Sequence, residues 1–293
     1  ILFMFLVGLH LDLSEVYASR RTVGLAGLLS IAVPFALGLV LAGPLRPLSP
    51  SAPELNFSLL IAVSMSITAF PVLARILARQ NLTATKLGHV AIACAAVNDV
   101  LAWCLLAWIV ALSRSGEASA LRPVAVLAAF VLVMFVAVRR ALQWLHRRYG
   151  MANELSAVLI LVFLASWVTE MSGLHALFGA FVAGAVWPRD SSSTRDIAAK
   201  IEPLSMRMLI PLFFSYTGLQ TNIGVVGDYV GLTMLVIAAA IAGKVGGAFV
   251  GARVTGFSTR DSLGLGILLN TRGLVELIVL NVGRDLGILS PAL

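Results

Sequence analysis

Ser66-Ile67-Thr68-Ala69-Phe70-Pro71 cuts through the middle of an otherwise apolar run, residues 55–74. Proline has no backbone donor and its ring clashes with the preceding turn, so a helix cannot pass through it unchanged. Ser66 and Thr68 place two hydroxyls beside the same interruption. A second apolar run, 261–280, is interrupted by Asn270-Thr271-Arg272-Gly273. Backbone groups freed at membrane depth are tolerated only inside protein or against a watery cavity. One such run reads as a proline kink with its hydroxyls bonded back to the helix. Two at corresponding places in two halves of a chain read as a pair of crossing broken helices, whose half-helix ends offer partial charges to an ion.

The surrounding sequence demands a membrane. Of 293 residues, 59% are hydrophobic and only 12% are charged, and the mean hydropathy is +0.97. A soluble chain of this length needs far more polar surface, and a disordered chain far less apolar content. The apolar residues run continuously rather than alternating, which excludes a transmembrane β-barrel. The fold class is therefore an all-α polytopic membrane protein. Ten apolar segments are legible: 1–9, 22–43, 55–74, 88–112, 122–138, 154–170, 173–187, 204–220, 230–254 and 261–280. The first reads as the second half of a helix, so the chain is expected to be incomplete at both termini.

Net charge is +7. The basic residues sit in short loops, so membrane topology explains them and nucleic acid is not an expected partner. Loops after odd-numbered segments carry fifteen of the 21 Lys and Arg, whereas Arg46, Arg114, Arg122 and Arg284 lie on the other side. By the positive-inside rule the richer side faces the cytoplasm. Cys94 and Cys104 are ten apart in one segment and cannot form a disulfide within a helix.

An internal repeat supports the paired breaks. Val7-Gly8-Leu9-His10-Leu11-Asp12 resembles Thr217-Gly218-Leu219-Gln220-Thr221-Asn222, and the same offset carries segment 22–43 onto 232–253. The two copies are separated by an odd number of segments, so their orientations are opposite. This is the signature of inverted-topology repeats.

Asp99 carries the strongest chemical signal. It lies near the middle of 88–112, beside Asn98, among small apolar residues. A carboxylate at that depth costs about 2.5–3.5 kcal/mol on insertion scales. It persists only when paired, solvated through a cavity or protonated. Desolvation disfavours its charged form and a neighbouring cation favours it, which suits a site exchanging a proton for an alkali cation. Oxygen donors match hard cations. Lys244, in Gly243-Lys244-Val245-Gly246-Gly247, is at similar depth and is a candidate charge partner of Asp99. Arg272 and Glu276, four apart, form a candidate structural ion pair. Glu170 reads as a solvated charge at a helix end, and His10, His89, His146 and His175 carry little signal. The chain has no Walker A, HExxH or GxSxG motif and no metal-spaced Cys/His cluster, so neither an enzyme nor a cofactor is expected.

Ser66–Val72, Ala95-Ala96-Val97-Asn98-Asp99-Val100, His175–Phe181 and Asn270-Thr271-Arg272-Gly273-Leu274-Val275-Glu276-Leu277 together resemble the monovalent cation:proton antiporter-2 family, the Kef-type sodium/hydrogen exchanger domain. The plant cation/H+ exchanger branch is especially similar. The resemblance runs nearly end to end. It implies a sodium/proton antiporter-like fold, a homodimer, and an elevator-like motion of a core against a dimerisation scaffold. It implies that Asp99 carries cation and proton, with Asn98 beside it as a second ion-binding residue and Lys244 as its charge partner. Ser66, Thr68, Asn270 and Thr271 would line the crossover.

The whole chain, 1–293, is thus expected to be one exchanger domain. Its core would comprise about 55–112 and 204–280, with 154–187 open between core and scaffold. The expected activity is antiport of Na+ or K+ against H+ across a plasma or inner membrane. A Kef-like gated K+ efflux channel and a non-transporting sensor are the competing classes. An Asn-Asp pair fits the electroneutral members and a lysine such as Lys244 the electrogenic ones, so the stoichiometry stays open.

Overall fold

A computed structural model describes residues 1–9, 20–83, 85–115, 121–149, 154–172, 175–188, 191–220 and 224–290. All regular structure among them is helical. In chain order the helices are α1 (Leu2–Leu9), α2 (Arg20–Leu45), α3 (Glu54–Ser66), α4 (Phe70–Arg79), α5 (Lys86–Ser115), α6 (Leu121–Val133), α7 (Arg139–Tyr149), α8 (Glu154–Met171), α9 (Ala176–Val186), α10 (Ser191–Leu204), α11 (Ile210–Gln220), α12 (Gly224–Asp228), α13 (Val230–Val254), α14 (Thr259–Leu269) and α15 (Leu274–Asp285). Among the described residues four spans are long and apolar enough to cross a bilayer: Arg20–Leu48, Lys86–Ser113, Ala125–Arg148 and Val230–Val254.

Segments 55–74 and 261–280 are each split in two. The first divides into α3 and α4 around residues 67–69, and the second into α14 and α15 around 270–273. Pro71 is the second residue of α4. Its missing N–H therefore falls in the first helical turn, where no intrahelical acceptor exists. The break comes before the proline rather than at it.

Elsewhere the helices outrun the apolar segments. The segment read as 122–138 continues through a π turn, Met134–Val138, into α7, whose Arg139, Arg140, Arg147 and Arg148 follow the apolar part. Hydropathy reports where the hydrocarbon ends, not where the backbone stops being helical. Likewise the segment read as 204–220 is preceded by α10 and joined to it through a second π turn, Ser205–Leu209.

The chain divides into two compact units. One comprises Ile1–Leu11 and Ala107–Gly218. In it α9 packs on α1 and α8. The α1–α9 contact is backbone to backbone: a Cβ at Gly8 would overlap the Phe181 carbonyl, and one at Gly184 would overlap that of Phe5. The other unit comprises Asp12–Leu106 and Leu219–Leu293. Here α2 packs on α13 and α3, α13 on α14, and α15 on α3. Gly247 and Gly251 of α13 lie against Leu29 and Ala26 of α2; a Cβ at Gly251 would sit 2.5 Å from the Ala26 Cα. Small residues four apart let helices approach where lipid supplies no hydrophobic drive for association. The order long helix, then broken helix, thus occurs twice in this unit. Of the six-residue repeat, His10, Leu11, Asp12, Thr221 and Asn222 fall outside the described residues. Cys94 and Cys104 are both free thiols.

Candidate functional site at the crossing of two broken helices

The two interruptions meet. The Ala69 N–H donates to the Thr271 carbonyl at 2.8 Å, and the Thr68 hydroxyl lies 3.1 Å from the Leu269 carbonyl. Ile67 and Gly273 are both extended, at φ −68°, ψ 143° and φ 169°, ψ −140°. Each chain therefore stops making helical bonds at the point where it can bond the other. Four half-helix ends result, and their unpaired carbonyls and N–H groups concentrate partial charge in one place.

Two cations serve the carbonyl end of α3. The Lys244 ammonium, fully buried, donates to the Ser66 carbonyl. The Arg272 guanidinium donates to Met65 at 3.0 Å and reaches the Ser64 carbonyl at 3.5 Å. It also pairs with Glu276 at 2.7 Å. Arg272 belongs to the extended stretch ahead of α15, and Glu276 to the first turn of that helix. Glu276 is thus placed where a negative charge complements a helix N-terminus. Ser66 turns its hydroxyl back to Ala62 at 2.7 Å, with the Ile31 carbonyl 3.2 Å away, and Thr271 donates to Leu268 at 2.6 Å.

Asp99 stands near the middle of α5 and is 1% exposed. Neither of its oxygens has a hydrogen-bond partner among the described residues. Lys244 is near enough for its charge to act on Asp99, yet the two form no ion pair. The Asn270 side-chain oxygen is a further buried acceptor without a partner among the described residues. Buried polar atoms are nearly always bonded, so each exception calls for an explanation. Among the described residues no three His, Cys, Asp or Glu side chains converge to hold a metal ion.

Asn98 is bonded on every side. Its amide is satisfied in one orientation, assigned from the network. There Oδ1 accepts from the hydroxyls of Ser30 (2.9 Å) and Thr68 (3.2 Å), while Nδ2 donates to the carbonyls of Gly27 (3.1 Å) and Cys94 (3.2 Å). Turned over, Oδ1 would face only carbonyl oxygens. Ser30, on α2, is the site residue that sequence reasoning missed. It is a lone hydroxyl in a membrane helix, a feature too common to stand out before its neighbours are known.

Glu170 and His175 lie in the other unit and cap a helix. Glu170 accepts from the Ala176 N–H at 3.0 Å and His175 Nδ1 accepts from Leu177 at 3.2 Å, both at the start of α9. His89 and His146 lie on α5 and α7, and His10 is outside the described residues.

A buried carboxylate on a helix that Asn98 ties to the crossing of two broken helices, in an all-helical multi-pass membrane protein, defines a class of secondary transporter. The chain belongs to the sodium/hydrogen exchanger transmembrane family, which matches residues 1–293. It is 38% identical to the Na(+)/H(+) antiporter NhaS4 of Synechocystis sp., over all of this chain and 74% of that protein. It is 38% identical to cation/H(+) antiporter 20 of Arabidopsis thaliana, over 98% of this chain and 37% of the relative. It is 33% identical to K(+)/H(+) antiporter 1 of Saccharomyces cerevisiae, over 99% of this chain and 35% of the relative. The chain thus spans about a third of the length of its plant and yeast relatives.

Proposed function

We propose that this chain is the exchange unit of a monovalent cation/proton antiporter, with Asp99 as the common carrier of cation and proton. The observation that carries the reading is a fully buried carboxylate whose two oxygens have no partner among the described residues, next in the chain to the Asn98 side chain that bonds Thr68 at the first helix break. Such a group is most stable when it holds either a proton or a cation. Competition for one carboxylate couples the two fluxes, because the site cannot hold both guests at once.

In this reading the cation is Na+ or K+, and Thr68 and Asn270 contribute oxygens at the crossover. Lys244 and Arg272 neutralise the carbonyl end of α3 while Asp99 is loaded, so the positive guest meets a carboxylate rather than a bare helix terminus. Alternating access follows an elevator-like displacement of the loaded core. The relatives' names include both a Na(+)/H(+) and a K(+)/H(+) antiporter, which supports a monovalent cation and leaves the choice between the two ions to cavity dimensions.

The test is flux in proteoliposomes under an imposed pH gradient, with Na+ and K+ supplied separately. Asp99→Asn keeps the side-chain volume and removes the titratable charge. Its flux is expected to fall to that of empty liposomes while the protein stays folded. Wild-type exchange by this variant would refute the assignment of the carrier.

A further inference from the structure

We propose that Ser30 is a positioning residue for the carrier carboxylate, acting through Asn98. The inference rests on the reading of Asp99 as carrier and concerns what aims it.

The Asp99 carboxylate makes no hydrogen bond among the described residues, so its direction is inherited from α5. Successive residues on a helix point about 100° apart. Fixing the side chain of Asn98 therefore fixes the rotation of α5 about its axis, and with it the direction of Asp99. Asn98 is suited to this. Its two N–H groups meet the carbonyls of Gly27 and Cys94, and its oxygen accepts from Ser30 and Thr68. That fills the side chain's four hydrogen-bonding positions. An amide so saturated braces the helix and has no oxygen lone pair left for a cation.

Ser30 supplies the side-chain part of the α2 anchor. It is wholly buried, and its Oγ lies 2.8 Å from the Gly27 carbonyl and 2.9 Å from the Asn98 amide. The two helices are close here: a Cβ at Gly27 would lie 3.8 Å from Asn98 Nδ2 and 3.9 Å from the Cys94 Cα, ordinary van der Waals contact. Thr68 completes the set from the first helix break. Asn98 thus ties α5 at once to α2 and to the crossover. Without the Ser30 hydroxyl, Oδ1 keeps only Thr68, and α5 regains rotational freedom at the carrier.

The experiment uses the intact transporter in proteoliposomes, with cation flux normalised to folded protein. Ser30→Ala is expected to raise the KM for the transported cation at least fivefold and to shift the pH of half-maximal exchange. A hydroxyl that only supported folding would lower the number of active molecules and leave KM unchanged. Ser30→Thr keeps a hydroxyl that can donate to the Asn98 oxygen and is expected to stay within twofold of wild type. Asn98→Ala should lose at least as much as Ser30→Ala, and the double variant no more than Asn98→Ala alone. Where turnover is too slow to measure, the same comparison is made by cation-induced thermal stabilisation, which reports binding. An unchanged KM and pH profile in Ser30→Ala would overturn the proposal. So would a Thr variant as impaired as the Ala one, or losses that multiply in the double variant. Asp99→Asn run in parallel separates the two readings: exchange surviving in that variant refutes the carrier, whereas its loss together with a normal Ser30→Ala refutes only the brace.

Discussion

At the scale of the residue, the site divides its polar groups into those that hold and those left free. Lys244, Arg272 and Asn98 are committed to backbone carbonyls or neighbouring side chains, while Asp99 and the Asn270 oxygen are not. The reading of Lys244 from depth alone makes it a charge partner for Asp99; in the structure its ammonium also donates to the Ser66 carbonyl. Removing it should therefore be felt in stability as well as in transport. Lys244→Met leaves the Ser66 carbonyl buried and unpaired, and the expected loss is about 1–3 kcal/mol. Lys244→Gln, which keeps a donor, should recover part of it. Thermal unfolding in detergent checks both. Equal melting of the Met variant and wild type would show that the bond to Ser66 contributes nothing.

The element scale shows why two long helices can bring these groups together. Helices α2 and α13 touch through glycine, because any side chain at Gly247 would overlap the Leu29 carbonyl. Gly246, one residue earlier, has nothing within 4 Å of its Cβ position. The two positions are next to each other in sequence and opposite in consequence. Gly247→Val is expected to push α13 off α2, displace Lys244 from Ser66 and abolish a monodisperse folded peak in size-exclusion chromatography. Gly246→Ala should be neutral or stabilise by up to about 1 kcal/mol, from the better helix propensity of alanine. A Gly-rich stretch read from sequence announces close packing without saying which glycine makes it. The partner helix, far away in the sequence, decides that.

For the whole molecule, the distribution of basic residues makes a claim about sidedness. The exposed residues Ser51 and Arg147 fall on opposite sides of the bilayer by that distribution. With Cys94 and Cys104 replaced by alanine, Ser51→Cys should react with a membrane-impermeant maleimide added to intact cells. Arg147→Cys should react only after permeabilisation. Labelling of both from outside would overturn the topology. Burial of Cys94 and the absence of any disulfide leave the native thiols without a part in this assignment.

Composition and hydropathy by themselves determined that the chain is an all-helical membrane protein. The position of each long apolar run followed too, because the bilayer imposes one length and one polarity on whatever crosses it. The two interruptions and Asp99 were legible for the same reason: proline, paired hydroxyls and a carboxylate are costly in lipid and stand out against it. The tertiary structure alone decided what those costly groups do for one another. Hydrogen bonds join Ala69 to Thr271 and Lys244 to Ser66 across about 200 residues of chain, and no local pattern encodes such pairings. Ser30 is the clearest instance. It is ordinary in its own helix and is distinguished only by the Asn98 amide that the fold sets against it, since a hydrogen bond depends on where two atoms meet and not on how far apart they lie in the sequence.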